Sequence, residues 1–151
     1  MSRAKTGALI VIEQNVRLDE YERTGIVIDS VLTSQILINI FEHNTPLHDG
    51  AVIVRGNRIT AATCYLPLSD NMLLSKELGT RHRAGVGISE VTDSLTVIVS
   101  EETGAISVAY KGELMRKLTA EELKKLLVMA QNKTAAQKKF RLWKGWNKNE
   151  I

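Results

Sequence analysis

The stretch from Gly50 to Leu66 reads GAVIVR-GN-RITAATCYL. Two apolar runs flank Gly56-Asn57, a two-residue turn of the kind that closes β-hairpins. The alternation of apolar and polar residues is imperfect, which suits strands that are covered on both faces. The chain's single cysteine, Cys64, lies in the second run. We interpret it as a small buried hydrophobic residue and not as a nucleophile, which weakly favours a reducing compartment.

Similar patterns on either side of this hairpin predict the rest of the fold. Apolar runs predict further strands, Ser100–Gly104 predicts a second hairpin turn, and capping residues with helical periodicity predict helices. Adjacent hairpins with intervening helices predict an α/β (α+β) fold, a single domain with a mixed central β-sheet surrounded by helices. The predicted strands are 7–12, 25–28, 95–99 and 105–110, and the predicted helices are 18–23, 34–42, 80–91 and 120–131.

The charge of the chain is concentrated at its C-terminus. Residues 132–151 hold six basic side chains and one acidic side chain, a net +5, whereas residues 1–131 hold 14 basic and 16 acidic side chains. We therefore divide the chain into a catalytic domain, 1–131, and a basic tail, 132–151. A nucleic-acid-binding domain more often has a basic face on the fold itself, so no nucleic-acid partner is expected. No apolar run approaches the roughly 20 residues of a membrane span, and we expect this chain to be soluble.

The first candidate site is His48-Asp49-Gly50-Ala51, where a carboxylate precedes an apolar strand. Small residues allow a ligand to approach the backbone closely, and a carboxylate can hold Mg²⁺ or Mn²⁺ together with substrate phosphates. The alternative is a turn in which Asp49 binds its own backbone.

The second candidate is Gly79-Thr80-Arg81-His82-Arg83, which places basic residues in the first turn of a helix. The positive end of a helix dipole prefers acids, so this conflict favours a binding site for phosphate. The alternative is a solvated basic turn that pairs with nearby acids.

Two weaker candidates complete the set. Ser100, Glu101 and Glu102 could contact a metal, a ribose or the arginines, or form only a polar turn. Tyr65 and Leu66 could enclose a purine ring, or Tyr65 could be a core residue. Phosphate-binding glycine motifs and zinc-type cysteine–histidine clusters are absent from the sequence. Together these residues have the composition of a phosphoryl-transfer site.

These motifs resemble the paired Asp-Gly-Ala and Arg-His-Arg signatures of the diadenylate cyclase domain family. The resemblance covers most of the chain, from 7–10 through 44–51, 65–69, 87–95 and 99–104 to about Leu118. It implies a nucleotidyltransferase that condenses two ATP into cyclic di-AMP and two pyrophosphates across a face-to-face homodimer. The implied cofactors are Mg²⁺, Mn²⁺ or Co²⁺.

The resemblance also implies roles for individual residues. Asp49 matches the acid that serves the metal and the attacking ribose, within the motif that includes Gly50 and Ala51, and His48 is an additional metal ligand. The phosphate-binding segment is matched by Gly79, Thr80, Arg81, His82 and Arg83. Ser100, Glu101 and Glu102 match the phosphate side, and Tyr65 and Leu66 match positions near the adenine.

The chain is most similar to the membrane-anchored branch of this family. The resemblance therefore implies a parent protein at the cytoplasmic face of the bacterial membrane, held there by segments absent from this chain. Two other functions stay open from the residues alone. One is a non-catalytic module that binds ATP or the cyclic dinucleotide, and the other is a nucleic-acid or anionic-membrane binder that works through the basic tail.

Overall fold

The apolar run after Gly7 forms the central strand of a seven-stranded mixed sheet in the computed structural model, which describes residues 1–131. This strand, β1 (Ala8–Ile12), pairs in parallel with β3 (Ala51–Arg55), with Ile10 opposite Val52. On its other side it pairs antiparallel with β5 (Leu95–Val99). All three strands are largely buried, which explains their continuous apolar sequences.

The hairpin predicted around Gly56 is confirmed. β3 and β4 (Arg58–Cys64) are antiparallel, and Gly56 occupies the turn with a φ of +60°. β4 pairs on its outer side with β2 (Ile26–Val31), which begins one residue after the predicted start and continues three residues past the predicted end.

The other half of the sheet contains a strand that the sequence patterns did not predict. β5 and β6 (Ile106–Tyr110) form the second predicted hairpin, and β7 (Glu113–Leu118) follows at the edge. β7 is rich in charged residues and only its last residue is buried, so it carries no apolar-run signal. The order of the strands is β2-β4-β3-β1-β5-β6-β7.

Helices cover both faces of the sheet and confirm the predicted fold class. On one face, α3 (Thr80–Val91) packs Val86 and Ile88 against a core that includes Leu9 and Ile98. On the other face, α2 (Ser34–Phe41) packs Ile40 and Phe41 into a second core, and Thr33 caps this helix by accepting a hydrogen bond from the Ile36 N–H at 3.2 Å. The short α1 is Asp19–Glu22.

The chain divides into two compact units after Lys117. In the second unit, Thr119 directly precedes α4 (Ala120–Gln131), and its hydroxyl accepts the Glu122 N–H at 3.1 Å. Leu126 is the one buried residue of this helix. The predicted basic tail, 132–151, lies outside the described residues, so the boundary at residue 131 stays a prediction. Within residues 1–131, no helix combines the length and the apolar character that crossing a bilayer requires.

Candidate active site

The two strongest sequence motifs meet at one cavity of about 750 Å³. Its walls come from the residues around Asp49, the end of β4, the start of α3, the β5–β6 turn and one residue of β7. This volume suits a nucleotide-sized ligand. The predicted residues that line the cavity are Asp49, Gly50, Tyr65, Leu66, Gly79, Thr80, Arg81, His82, Ser100, Glu101 and Glu102, while His48, Ala51 and Arg83 do not line it.

Asp49 lines the cavity two residues before β3, and its side chain is 85% exposed. Gly50 has a φ of +88°, and a Cβ atom built on it would lie 2.9 Å from the Thr63 carbonyl carbon. The glycine is therefore required by the close approach of the β4 backbone. Among the described residues no backbone N–H donates to the Asp49 carboxylate, which argues against the alternative of a self-bonded turn. Ala51 is fully buried in β3.

His48 points one ring nitrogen at Asp49. Its Nδ1 lies 2.6 Å from the Thr45 carbonyl oxygen, which can only accept, so Nδ1 donates. In the neutral ring Nε2 then carries a lone pair, and this atom lies 3.3 Å from Asp49 Oδ1. Two acceptors that face each other in this way suit a proton or a cation between them.

The start of α3 provides unpaired N–H groups at the cavity. Gly79 is the N-cap residue and offers no side-chain cap, and the first helical bond joins the Arg83 N–H to the Gly79 carbonyl at 3.3 Å. The N–H groups of the first turn therefore have no partner within the helix. Such a turn can bind an anion.

Arg81 is held inside the cavity, with only 21% of its side chain exposed. Its Nη1 lies 3.4 Å from Glu101 Oε2, and its Nε is buried without a hydrogen-bond partner in the described part of the chain. The guanidinium also lies against Gly7, which the sequence analysis did not single out. Arg81 pairs with an acid, as the alternative of a solvated basic turn predicted, but the side chain is mostly buried and not solvated.

His82 and Arg83 are placed differently from Arg81. His82 is buried, and burial first, then the charges of Arg116 and Arg81, lower its pKa, so it is a neutral ring at pH 7. The Arg83 carbonyl accepts the Ser69 N–H at 2.9 Å, which ties the loop after β4 to α3. Arg83 thus contributes to the backbone around the cavity instead of lining it.

The acidic segment forms the β5–β6 turn, where the Gly104 N–H donates to the Ser100 carbonyl at 2.9 Å. The Ser100 hydroxyl accepts N–H groups from Glu102 and Thr103, both at 3.3 Å. The turn therefore holds both acids at the cavity wall, with Glu101 61% exposed.

Tyr65 follows the end of β4 and is 75% exposed, so the alternative of a core tyrosine is wrong. Its backbone N–H donates to the Thr24 hydroxyl at 2.8 Å, which fixes the start of the loop. The neighbouring Cys64 is buried as predicted, and burial raises its pKa to about 12. Its thiol is therefore protonated and unreactive.

Two residues were not proposed as site residues from the sequence: Gly7, which lies behind Arg81, and Arg116, which lines the cavity. Gly7 precedes β1, and Arg116 lies on β7, the strand that was not predicted. A glycine before an apolar run is common, and a lone arginine in a charged segment carries no local signal. Both become visible only when the order of the strands is known.

Comparison with known proteins identifies the family. The family model described as "DisA bacterial checkpoint controller nucleotide-binding" (DAC) matches residues 1–114. A diadenylate cyclase of Listeria monocytogenes is 54% identical over 147 residues, which are 96% of this chain and 54% of that protein. The cyclic di-AMP synthase CdaA of Bacillus subtilis is 60% identical over 127 residues, 84% of this chain and 46% of that protein. The chain spans about half the length of these curated relatives.

Solved structures agree with this assignment. A crystal structure of a DacA variant from Staphylococcus aureus superposes with a TM-score of 0.85 at 53% identity, covering 86% of this chain and 87% of that one. A hypothetical membrane spanning protein from Bacillus cereus gives a TM-score of 0.75 at 46% identity, covering 78% of this chain and 58% of that one. The resemblance seen in the motifs is confirmed, and the chain belongs to the DAC family, the diadenylate cyclase domain family.

Proposed function

We propose that this chain is the catalytic domain of a diadenylate cyclase, which condenses two ATP into cyclic di-AMP with release of two pyrophosphates. The observation that carries the proposal is that Asp49 and the Arg81 turn line the same cavity. The names of the relatives at 54% and 60% identity support the same reaction. An acid, an anion-binding helix start and an exposed aromatic ring are the parts that a nucleotide phosphoryl transfer requires.

In our proposal the adenine stacks on Tyr65 and Leu66, and the phosphates lie over the first turn of α3. Asp49 is next to the ribose and the α-phosphate, and Arg81 stabilises negative charge on the transferred group. Glu101 holds the Arg81 guanidinium in position through the contact at 3.4 Å. Tyr65 is largely exposed, so its ring is available to stack on the adenine.

The Asp49 carboxylate and the His48 Nε2 fit a divalent cation, since both are acceptors and they lie 3.3 Å apart. Among residues 1–131 no cluster of three or more candidate ligands is present, so substrate phosphate oxygens and water would complete the coordination. We propose Mg²⁺, Mn²⁺ or Co²⁺ at this place. When bound, such an ion neutralises charge that develops on the phosphates.

The reaction requires two nucleotides. Each ribose 3′-oxygen attacks the α-phosphorus of the other ATP, the bond from that phosphorus to the bridging oxygen breaks, the 3′-hydroxyl proton is lost and pyrophosphate leaves. The product has two identical linkages, and a two-fold axis between two copies of this cavity generates that symmetry. We therefore propose that catalysis requires a homodimer whose cavities face each other.

For the whole protein we propose attachment to the membrane through segments outside this chain. The chain spans about half of its curated relatives, and one structural neighbour is described as membrane spanning. The proposed location of the domain is the cytoplasmic face, where ATP is available.

Incubation of the purified chain with ATP and Mn²⁺, followed by chromatography, tests the reaction. We expect cyclic di-AMP and pyrophosphate in a ratio of one to two. ATP binding without any product, at protein concentrations where dimers are present, would instead favour a non-catalytic module that senses the nucleotide. The tail-dependent nucleic-acid or membrane function concerns residues 132–151, outside the described part of the chain. It would be supported by binding to nucleic acid or anionic vesicles that falls steeply with salt and disappears when those residues are removed.

Dilution tests the homodimer. Specific activity should rise with enzyme concentration through the range in which sedimentation shows monomer converting to dimer. A constant specific activity down to fully monomeric protein contradicts catalysis between two copies.

A further inference from the structure

Arg116 brings an additional positive charge to the far end of the cavity. It is exposed, it lines the cavity and it lies on the edge strand β7. Side chains two residues apart on a strand point to the same face. Leu114 packs against the core on the α3 face of the sheet, so Arg116 points to the face on which the cavity lies.

The order of the strands places Arg116 opposite Asp49 across the cavity. Asp49 precedes β3, and β7 lies four strand positions away, about 19 Å at the usual spacing. The start of α3 lies between them, because this helix contacts β1, β5 and β6. A ligand that begins at Tyr65 and passes Arg81 therefore runs toward Arg116.

The two arginines differ in what already binds them. Arg81 contacts Glu101 and is mostly buried. In the part of the chain that the structure describes, no hydrogen bond or ion pair engages the Arg116 guanidinium. The buried His82 lies close enough that the Arg116 charge lowers its pKa, which places Arg116 near the first turn of α3. The guanidinium presents its N–H donors as a planar fork, and two of them can bind two oxygens of one phosphate. An arginine with this capacity lies beside the turn that we propose to bind phosphate.

We propose that Arg116 binds the β- and γ-phosphates of ATP, the part of the substrate that leaves as pyrophosphate. This assignment rests on the proposed function, since it takes the orientation of ATP from that reaction. It makes Arg116 a residue that distinguishes the triphosphate substrate from the cyclic product, which has lost those two phosphates. Arg116 would therefore favour binding of ATP, and its contact with the nucleotide would be lost when pyrophosphate leaves.

Binding measurements on the full chain test the assignment. The probes are α,β-methylene-ATP with Mg²⁺ and cyclic di-AMP, and calorimetry measures both affinities for wild type, Arg116→Gln, Arg116→Lys and Lys117→Gln. The Arg116→Gln variant should bind the ATP analogue about ten- to hundredfold more weakly, the usual effect of losing hydrogen bonds to a charged group. Its affinity for cyclic di-AMP should stay within about threefold of wild type, because the product lacks the contacted group.

The control variants separate charge from position. Lys117→Gln removes the same charge one residue away, outside the cavity wall, and should change neither affinity. Arg116→Lys should bind the ATP analogue more tightly than Arg116→Gln but less tightly than wild type, because lysine keeps the positive charge and lacks the planar pair of donors of arginine. If Arg116→Gln and Lys117→Gln bind the ATP analogue equally well, the assignment is wrong. It is also wrong if Arg116→Gln loses as much affinity for cyclic di-AMP as for the ATP analogue.

The outcome is separable from that of the proposed reaction. If wild type makes cyclic di-AMP and Arg116→Gln binds the analogue normally, only the assignment of Arg116 fails. If wild type makes no cyclic di-AMP but its binding of the analogue depends on Arg116, the reaction fails and the assignment stands.

Discussion

The Arg81 guanidinium lies against the backbone of Gly7 at the start of β1. A methyl group built on Gly7 would be 2.9 Å from both Cζ and Nη1 of Arg81 and 3.1 Å from Glu101 Cβ. Gly7 is buried and directly precedes the central strand β1, so it provides a rigid surface behind a functional side chain. The absence of a side chain at position 7 thus fixes where the guanidinium can lie.

Gly7→Ala should lower the rate of cyclic di-AMP formation by about tenfold to a hundredfold, since displacement of a reacting group by about 1 Å has effects of this size. The fold should survive, because the two closest atoms belong to the far end of the flexible Arg81 side chain and Glu101 Cβ, at 3.1 Å, needs to shift by only a few tenths of an ångström. Turnover and thermal unfolding of the same preparation measure both effects. In an Arg81→Gln background, Gly7→Ala should lower turnover no further, because it acts by displacing the Arg81 guanidinium. A further loss of turnover in the double variant would show that Gly7→Ala acts in some other way.

Asp49→Asn should lower turnover at least about a hundredfold, or roughly 2.7 kcal/mol of barrier. The substitution removes the carboxylate charge that faces His48 Nε2, while the 85% exposure of the side chain leaves stability nearly unchanged. Turnover at saturating Mn²⁺ and the melting temperature are the measurements. Asp70→Asn removes an equal charge from an exposed position outside the cavity and should behave as wild type. Near-normal synthesis by Asp49→Asn would exclude Asp49 from the mechanism.

Much of the fold was predictable because its signals are local. The bounds of α3 (Thr80–Val91) and β5 (Leu95–Val99) agree with prediction to the residue, since a buried apolar run and a helix start are visible in short windows. β7 was missed because an edge strand needs few buried residues, and Glu113, Arg116 and Lys117 conceal its weak apolar pattern. Charged side chains on an edge strand also hinder its pairing with strands of other molecules. The residues that obscure the β7 pattern in the sequence therefore protect the edge of the sheet.

The candidate site was only partly predictable for a different reason. Asp49 and Arg81 stand in unusual local contexts, which their neighbours in sequence reveal. Gly7 and Arg116 have ordinary contexts, and their importance depends on which strands lie beside one another. Whether Tyr65 is exposed likewise depends on β4 ending at Cys64, a boundary that the pattern placed at Leu66.

Tyr65→Ala should raise the KM for ATP about tenfold or more, the usual effect of losing an aromatic ring that stacks on a base. Stability should change little, because the ring is 75% exposed and the backbone stays anchored through the Thr24 hydroxyl. Steady-state kinetics at varied ATP measure the effect. Tyr65→Phe keeps the stacking surface and should retain the wild-type KM, so an equal loss in both variants would point to the phenolic hydroxyl instead.

The Glu13–Arg55 pair joins β1 to β3 at the end of the sheet remote from Asp49. Arg55 donates to both carboxylate oxygens, at 2.9 and 3.0 Å, and the Leu18 N–H donates at 3.0 Å. Arg55 also contacts Asp19 and Glu22, so it holds α1 on the sheet. Burial by itself raises the pKa of Glu13, but the hydrogen bonds from Arg55 and Leu18 outweigh it and lower the pKa below 4.5.

Glu13→Gln should therefore destabilise the fold by about 1.5–3 kcal/mol, since it removes the buried carboxylate that accepts charge-assisted hydrogen bonds from Arg55, while Asp19 and Glu22 remain as counter-charges. The matched control is Asp29→Asn, which breaks the exposed pair with Arg58 at 2.9 Å and should cost no more than about 1 kcal/mol. Urea unfolding measures both. Because the folded pKa of Glu13 is depressed, its stabilisation is complete above the unfolded pKa and is lost as the pH falls through the folded one. The difference between wild type and Glu13→Gln should narrow from about pH 6 to about pH 3, and a constant difference would show that the carboxylate charge is not the cause.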